Sequence, residues 1–258
     1  MVHPVVRLTR LGVARDASGS NHFVVTGCGR SGTSYAATVL TAAGIPCGHE
    51  ELFHPRVRSL PDFGTRRGDA SWLAAPFVSK LPDGTVVLHQ VRDPVQVIGS
   101  FYGLRFLGSR GLYSFRRPSG PPRLLWHELK SRVLRARGEP VFMARDFQKF
   151  VARHEPTVLD GRDTLDRCVR YWIAWNERVE SEATRAGLPY LRYRLEDFEA
   201  RWLEILDLLA EESRELPAVP PTVNTRLRHD PLSREQLRSC PDFERLQSLA
   251  HRYGYPLD

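Results

Sequence analysis

Short apolar runs alternate along this chain with longer stretches whose apolar positions recur every three or four residues, the pattern of strands interleaved with helices. Phe23-Val24-Val25 predicts a buried strand over 22–26, and Tyr35 to Leu40 continue as a helix over 33–44. Pro46-Cys47-Gly48 breaks the chain, residues 55–70 are rich in Arg, Gly, Asp and Pro and read as loop, and Ser71 to Pro76 open a helical stretch. The β-branched run Val86 to Val91 predicts a strand over 85–92. Asp93 suits an N-cap and Pro94 a first helical residue, so a helix follows over 94–107. Further helices are predicted at 124–137 and 162–187, a strand over 189–194, and an amphipathic helix from Glu196-Asp197 to near Ala210. Pro217, Pro220 and Pro221 break the pattern before short C-terminal helices, and residues 1–20 read as a loose arm or edge strand. The fold class is therefore α/β: a single domain over 21–258 with a mainly parallel central sheet flanked by helices. Ligands of such sheets sit at the carboxyl ends of the strands.

The segment Thr26-Gly27-Cys28-Gly29-Arg30-Ser31-Gly32-Thr33-Ser34 lies at one such end. Gly27, Gly29 and Gly32 permit a tight turn whose N–H groups point inward, and a helix N-terminus follows, so free amides and the helix dipole converge on an anion site. Gly27 and Gly32 have the spacing of the P-loop G-x-x-x-x-G-K-[ST], a P-loop-type nucleotide-binding arrangement. Thr33 stands where that motif has Lys, and the cation is Arg30 inside the loop. A second candidate anion site lies at the end of the 85–92 strand, where Arg92 is followed eight residues later by Ser100.

Taken together, Arg30-Ser31-Gly32-Thr33-Ser34 and Arg92…Ser100 resemble the two phosphate-binding segments of sulfotransferases that use 3′-phosphoadenosine 5′-phosphosulfate (PAPS). The pattern is most similar to the branch containing tyrosylprotein and bacterial sulfotransferases. The resemblance implies that Gly29, Arg30, Ser31, Gly32, Thr33 and Ser34 hold the 5′-phosphosulfate and that Arg92 and Ser100 hold the 3′-phosphate. In that branch a Cys-Gly-x-Glu segment supplies the base, which maps to Cys47-Gly48-His49-Glu50 and makes Glu50 the base, with His49 and Glu51 as alternatives. Arg105 matches a Lys that neutralises the transferring group. Tyr171 to Asn176 resembles the aromatic helix before the last strand of the sheet. Tyr193-Arg194-Leu195-Glu196-Asp197 resembles a Tyr-Glu-Asp segment whose Tyr contacts adenine. Leu195 occupies that Tyr position, and Tyr193, on the same strand face, is the substitute. Arg226 lies where a C-terminal segment returns over the nucleotide. The expected activity is sulfuryl transfer from PAPS, leaving 3′-phosphoadenosine 5′-phosphate (PAP), to a hydroxyl of a carbohydrate, glycolipid, natural product or phenol. No metal is expected.

Net charge is +7, which suits an anionic ligand and also fits nucleic acid or a membrane surface. The basic residues are spread out and carry no aromatic-plus-basic RNA signature, so no nucleic-acid partner is expected. The stretch 108–123, rich in Arg and broken by Gly and Pro, is a candidate lid or acceptor loop. The four cysteines, Cys28, Cys47, Cys168 and Cys240, form no C-x-x-C pair. With no apolar leader in 1–20 and no run of transmembrane length, the chain reads as a cytoplasmic protein without an integral membrane segment. His49 and His54 lack the spacing of H-E-x-x-H, which disfavours zinc. A P-loop kinase is the alternative enzyme and lacks its Lys here; a catalytically silent nucleotide-binding protein is the non-enzymatic alternative. The sequence leaves the oligomeric state open.

Overall fold

The computed structural model describes residues 21–64, 66–104, 106–108, 144–219 and 232–257. Five strands pair in parallel in the order β2-β3-β1-β4-β5, with β1 at Phe23–Thr26, β2 at Cys47–His49, β3 at Gly68–Ala70, β4 at Val86–Val91 and β5 at Tyr190–Arg194. The protein is thus a single α/β domain. Helix α1 (Thr33–Ala42) carries the chain from β1 out to β2. The 3-10 helix Trp72–Lys80 crosses from β3 to β4, on the far side of β1, and α2 (Pro94–Gly103) leaves β4. Helices α3 (Ala144–His154) and α4 (Thr164–Ala186) precede β5; α5 (Trp202–Leu208), α6 (Arg234–Arg238) and α7 (Phe243–Arg252) follow it.

Both faces of the sheet are buried: every residue of β4 is buried, its four apolar positions together with His89 and Gln90. On one face Phe23, Val25, Val86 and Leu88 pack with Val39 and Leu40 of α1 and Trp202 and Ile205 of α5. On the other, Val24, Val87 and Val91 pack with Leu73, Ile98, Trp172 and Trp175. Trp172 and Trp175 are fully buried, so these aromatic residues are core. The sheet connections diverge at β1 and β4: β1 leaves toward β2 and β4 toward β5. That divergence opens a crevice at the carboxyl ends of adjacent strands, where the glycine loop and Arg92 both lie.

Several expectations are corrected. Residues 68–70, expected as loop, form β3, which pairs with both β1 and β2. A Cβ on Gly68 would stand 2.2 Å from Phe23 Cζ, so a glycine is required for these strands to approach. Helix α3 lies where no helix was expected. The predicted helix over 94–107 ends at Gly103, and the segment after β5 begins with a 3-10 turn, Leu195–Asp197, before α5. The 1–20 arm, residues 109–123 of the Arg-rich stretch, the helix expected at 124–137, Pro220 and Pro221 fall outside the described residues. Among the described residues, no helix is long and apolar enough to cross a membrane.

Candidate functional site

The loop 27–32 is shaped by contacts from below. Gly27 has φ 155°, and a Cβ there would lie 2.1 Å from the Gln90 carbonyl oxygen. Gln90 is fully buried on β4: its Nε2 donates to the Ser31 carbonyl at 2.7 Å, and its Oε1 accepts from Tyr193 Oη at 3.0 Å. The Gly29 N–H donates to Tyr171 Oη on α4 at 2.9 Å. Gly32, at φ 96°, is the N-cap residue of α1, and no side chain caps that helix. The Tyr35 N–H donates to the Gly32 carbonyl at 2.9 Å, and Gly32, Thr33 and Ser34, ahead of it, present the positive end of α1 at the crevice. Ser31 is fully buried and its Oγ has no hydrogen-bond partner among the described residues. Cys28 sits in the same loop, but burial holds its thiol well above the usual range, so it is no thiolate nucleophile.

The second segment closes on the first. Asp93 accepts from the Val95 N–H at 2.8 Å and starts α2, placing Ser100 two turns along. Arg30 Nε donates to Ser100 Oγ at 3.0 Å. Arg92 Nη1 donates to the Arg30 carbonyl at 3.1 Å and Nη2 to Gln96 Oε1 at 2.5 Å. Neither acceptor carries charge, and Arg92 Nε is buried without a partner among the described residues. Two guanidinium groups, a hydroxyl and an uncapped helix start thus converge at one strand edge, an arrangement that suits an anion with more than one phosphate-like group.

The carboxylate lies two strands over from β1, beyond β3. Glu50 follows β2 with φ 56°, a left-handed backbone rare for a residue with a Cβ, and its N–H donates to the Ala70 carbonyl at 3.3 Å. Burial, and next the charge of Asp69, push the Glu50 carboxyl up to about 7, against a hydrogen bond from Trp72 that favours the ionised form. Its charge also reaches Tyr171, whose hydroxyl holds the Gly29 amide, so it lies beside the loop. Of the two alternatives, Glu51 pairs with Arg66 at 3.4 Å on the surface and His49 is exposed.

The residues expected at the two phosphate segments are therefore brought together, with Glu50 near them. Tyr193 is not: it is buried in the core beneath the loop, edge-on to Phe198, and its hydroxyl serves Gln90, so the adenine contact expected of it is not made available here. Leu195, at the departing position, lies against Gly32, where a Cβ would stand 3.0 Å from Leu195 Cδ1. Arg105 and Arg226 fall outside the described residues. Sequence reasoning missed Gln90, Tyr171 and Asp69 as supports of the site. Gln90 carries a signal, a polar residue inside an apolar strand run, and so does Tyr171, on the apolar face of a long helix. No protein-family model matches the chain, and no curated protein matches it in sequence. What fold and geometry define is a class: a parallel α/β protein with a basic, amide-rich cradle at its switch point and a half-buried carboxylate at the end of the edge strand β2.

Proposed function

We propose that this protein transfers a sulfuryl group from PAPS to an acceptor hydroxyl. The observation that carries the reading is the meeting of Arg30, Ser100 and Arg92 beside the uncapped start of α1, with Ser31 Oγ and Arg92 Nε left as buried groups without partners among the described residues. Buried polar atoms are costly unless satisfied, so both fit a bound anion. The donor supplies an activated sulfuryl group: the acceptor oxygen bonds to sulfur while the bond from sulfur to the bridging phosphate oxygen breaks, its electron pair leaving on the nucleotide.

Ser31, Gly32, Thr33 and Ser34 would hold the 5′ end through amides and hydroxyls, and Arg92 and Ser100 the 3′-phosphate. Glu50 would accept the acceptor's proton. A carboxyl near 7 is well matched to that task, since about half of it is ionised at neutral pH and it is more basic than an exposed one. Arg30 would offset charge developing on the transferring and leaving oxygens, with Arg105 as a second cation. The acceptor is a carbohydrate, glycolipid, natural product or phenol. The four free cysteines suit a reducing, cytoplasmic setting.

Calorimetry with PAP, AMP and ATP–Mg²⁺ tests the reading. Preference for PAP over AMP of about tenfold or more, lost in Arg92→Ala, is the expected result. Preference for ATP–Mg²⁺, or no discrimination, overturns it in favour of a kinase-like enzyme.

A further inference from the structure

Asp69 is fully buried on β3, where a strand would ordinarily carry an apolar side chain, and the resemblance assigns it no role. Its two carboxylate oxygens are both engaged by the turn after β2. Oδ1 accepts the Glu51 N–H at 3.2 Å and Oδ2 the Phe53 N–H at 3.3 Å. The neighbouring residues of β3 continue the attachment. The Ala70 carbonyl accepts the Glu50 N–H, and Ser71 Oγ, just past the strand, donates to the Phe53 carbonyl at 3.1 Å. A Cβ on Gly48 would stand 2.7 Å from Asp69 Oδ1, so the residue before His49 must be small for the carboxylate to reach the turn. The strained backbone of Glu50 is thus bracketed by bonds to one strand end, and over-determined surroundings are what let such strain persist.

We propose that Asp69 is the positioning residue for Glu50, clamping the turn that aims this carboxylate at the acceptor and setting the charge it works against. The catalytic meaning rests on the sulfuryl-transfer reading; the tie between Asp69 and the turn does not. Burial also pushes the Asp69 carboxyl up to about 6, although the backbone N–H groups it accepts oppose that rise. The other ionisable groups facing the pair are Cys47 on β2, Glu51 with its Arg66 partner in and beside the turn, and Tyr171 on α4; His49 meets only Glu51. Of these charges, that of Asp69 is the one that raises Glu50.

The test is Asp69→Asn in the full chain, read by NMR. Amide exchange at Glu51 and Phe53 is expected to speed up about tenfold or more, since each loses a charged acceptor or meets a donor in its place. The carboxyl carbon of Glu50, assigned by its loss in Glu50→Gln, is expected to titrate near 7 in the wild type and about one unit lower in Asp69→Asn. Unchanged exchange at both amides, or an unmoved Glu50 midpoint, overturns the proposal; a purely structural Asp69 would leave that midpoint where it is. If Asp69→Asn does not fold, Gly48→Ala pushes the carboxylate off the turn while keeping its charge. Faster exchange at Glu51 and Phe53 then supports the proposal, and wild-type exchange overturns it. PAP calorimetry runs alongside: a wild-type protein that fails to bind PAP overturns the donor reading, not the clamp, so the two failures are distinguishable.

Discussion

Arg30 and Ser100 stand seventy positions apart in the chain, yet the guanidinium Nε of one donates to the hydroxyl of the other at 3.0 Å. Through this bond the glycine loop after β1 and the helix after β4 become one surface. Ser100→Ala is expected to weaken PAP binding by about tenfold while leaving AMP binding nearly unchanged, because a single hydrogen bond to a charged group is removed. Paired calorimetric titrations check this. An equal loss for both nucleotides would mean that Ser100 serves Arg30 rather than a 3′-phosphate.

Glu50→Gln is expected to bind PAP as the wild type does and to lose about a hundredfold to ten-thousandfold in kcat, the usual range for a removed general base. In the wild type, kcat is expected to rise with pH through an acidic limb near 7, since the proton must leave Glu50 before it can accept another. A pH profile against 4-nitrophenol as acceptor reads both. A limb near the ordinary carboxyl range, or full turnover in the Gln variant, moves the base elsewhere.

Stability should carry the same signature. Glu50 and Asp69 lie near 7 and 6, above the ordinary values of 4.5 and 3.8. The folded chain therefore keeps protons that the unfolded chain releases. Their contribution to stability is fully present below about pH 4 and is lost as pH rises through 6 to 7. Glu50→Gln is expected to exceed the wild type at pH 8 by on the order of 1 to 2 kcal/mol, with the difference gone near pH 4. Urea midpoints at the two pH values decide it. A Gln variant no more stable than the wild type at pH 8 would show that ionising Glu50 costs the fold nothing.

Gln90→Leu should act on the loop from beneath. It strands the Ser31 carbonyl and the Tyr193 hydroxyl, at about 1–3 kcal/mol for each buried group left unpaired. A lowered thermal midpoint together with weakened PAP binding is expected. A lowered midpoint with PAP affinity intact would mean that the loop holds its shape without this support.

What could be read beforehand divides along physical lines. The strand–loop–helix of 23–42 and the strand–cap–helix of 86–103 were legible because apolar runs, glycines and an Asp-Pro start all act locally. Strand β3 was not. Gly68-Asp69-Ala70 carries no apolar run: its glycine yields to the Phe23 ring and its aspartate answers a turn distant in sequence. Helix α3 had a signal, Phe147, Phe150 and Val151 at helical spacing, with Phe150 and Val151 fully buried. At the site, the residues that would touch ligand fall within motifs. Of their supports, Gln90 and Tyr171 stand out only as polar groups within apolar patterns, and Asp69, set by a turn distant in sequence, leaves little trace in short-range pattern.

The strand order has a consequence for assembly. Among the described residues, none of the four strand pairings is a hairpin; each joins β-segments through an intervening crossover. Contact order is correspondingly high, and folding should run in the slower regime of non-local topologies, with the apolar β4 exposed meanwhile. During synthesis the loop's whole sequence emerges before Gln90, Arg92 or Tyr171 exists to brace it. A nascent chain halted before Val86 carries every glycine of the motif and none of these braces.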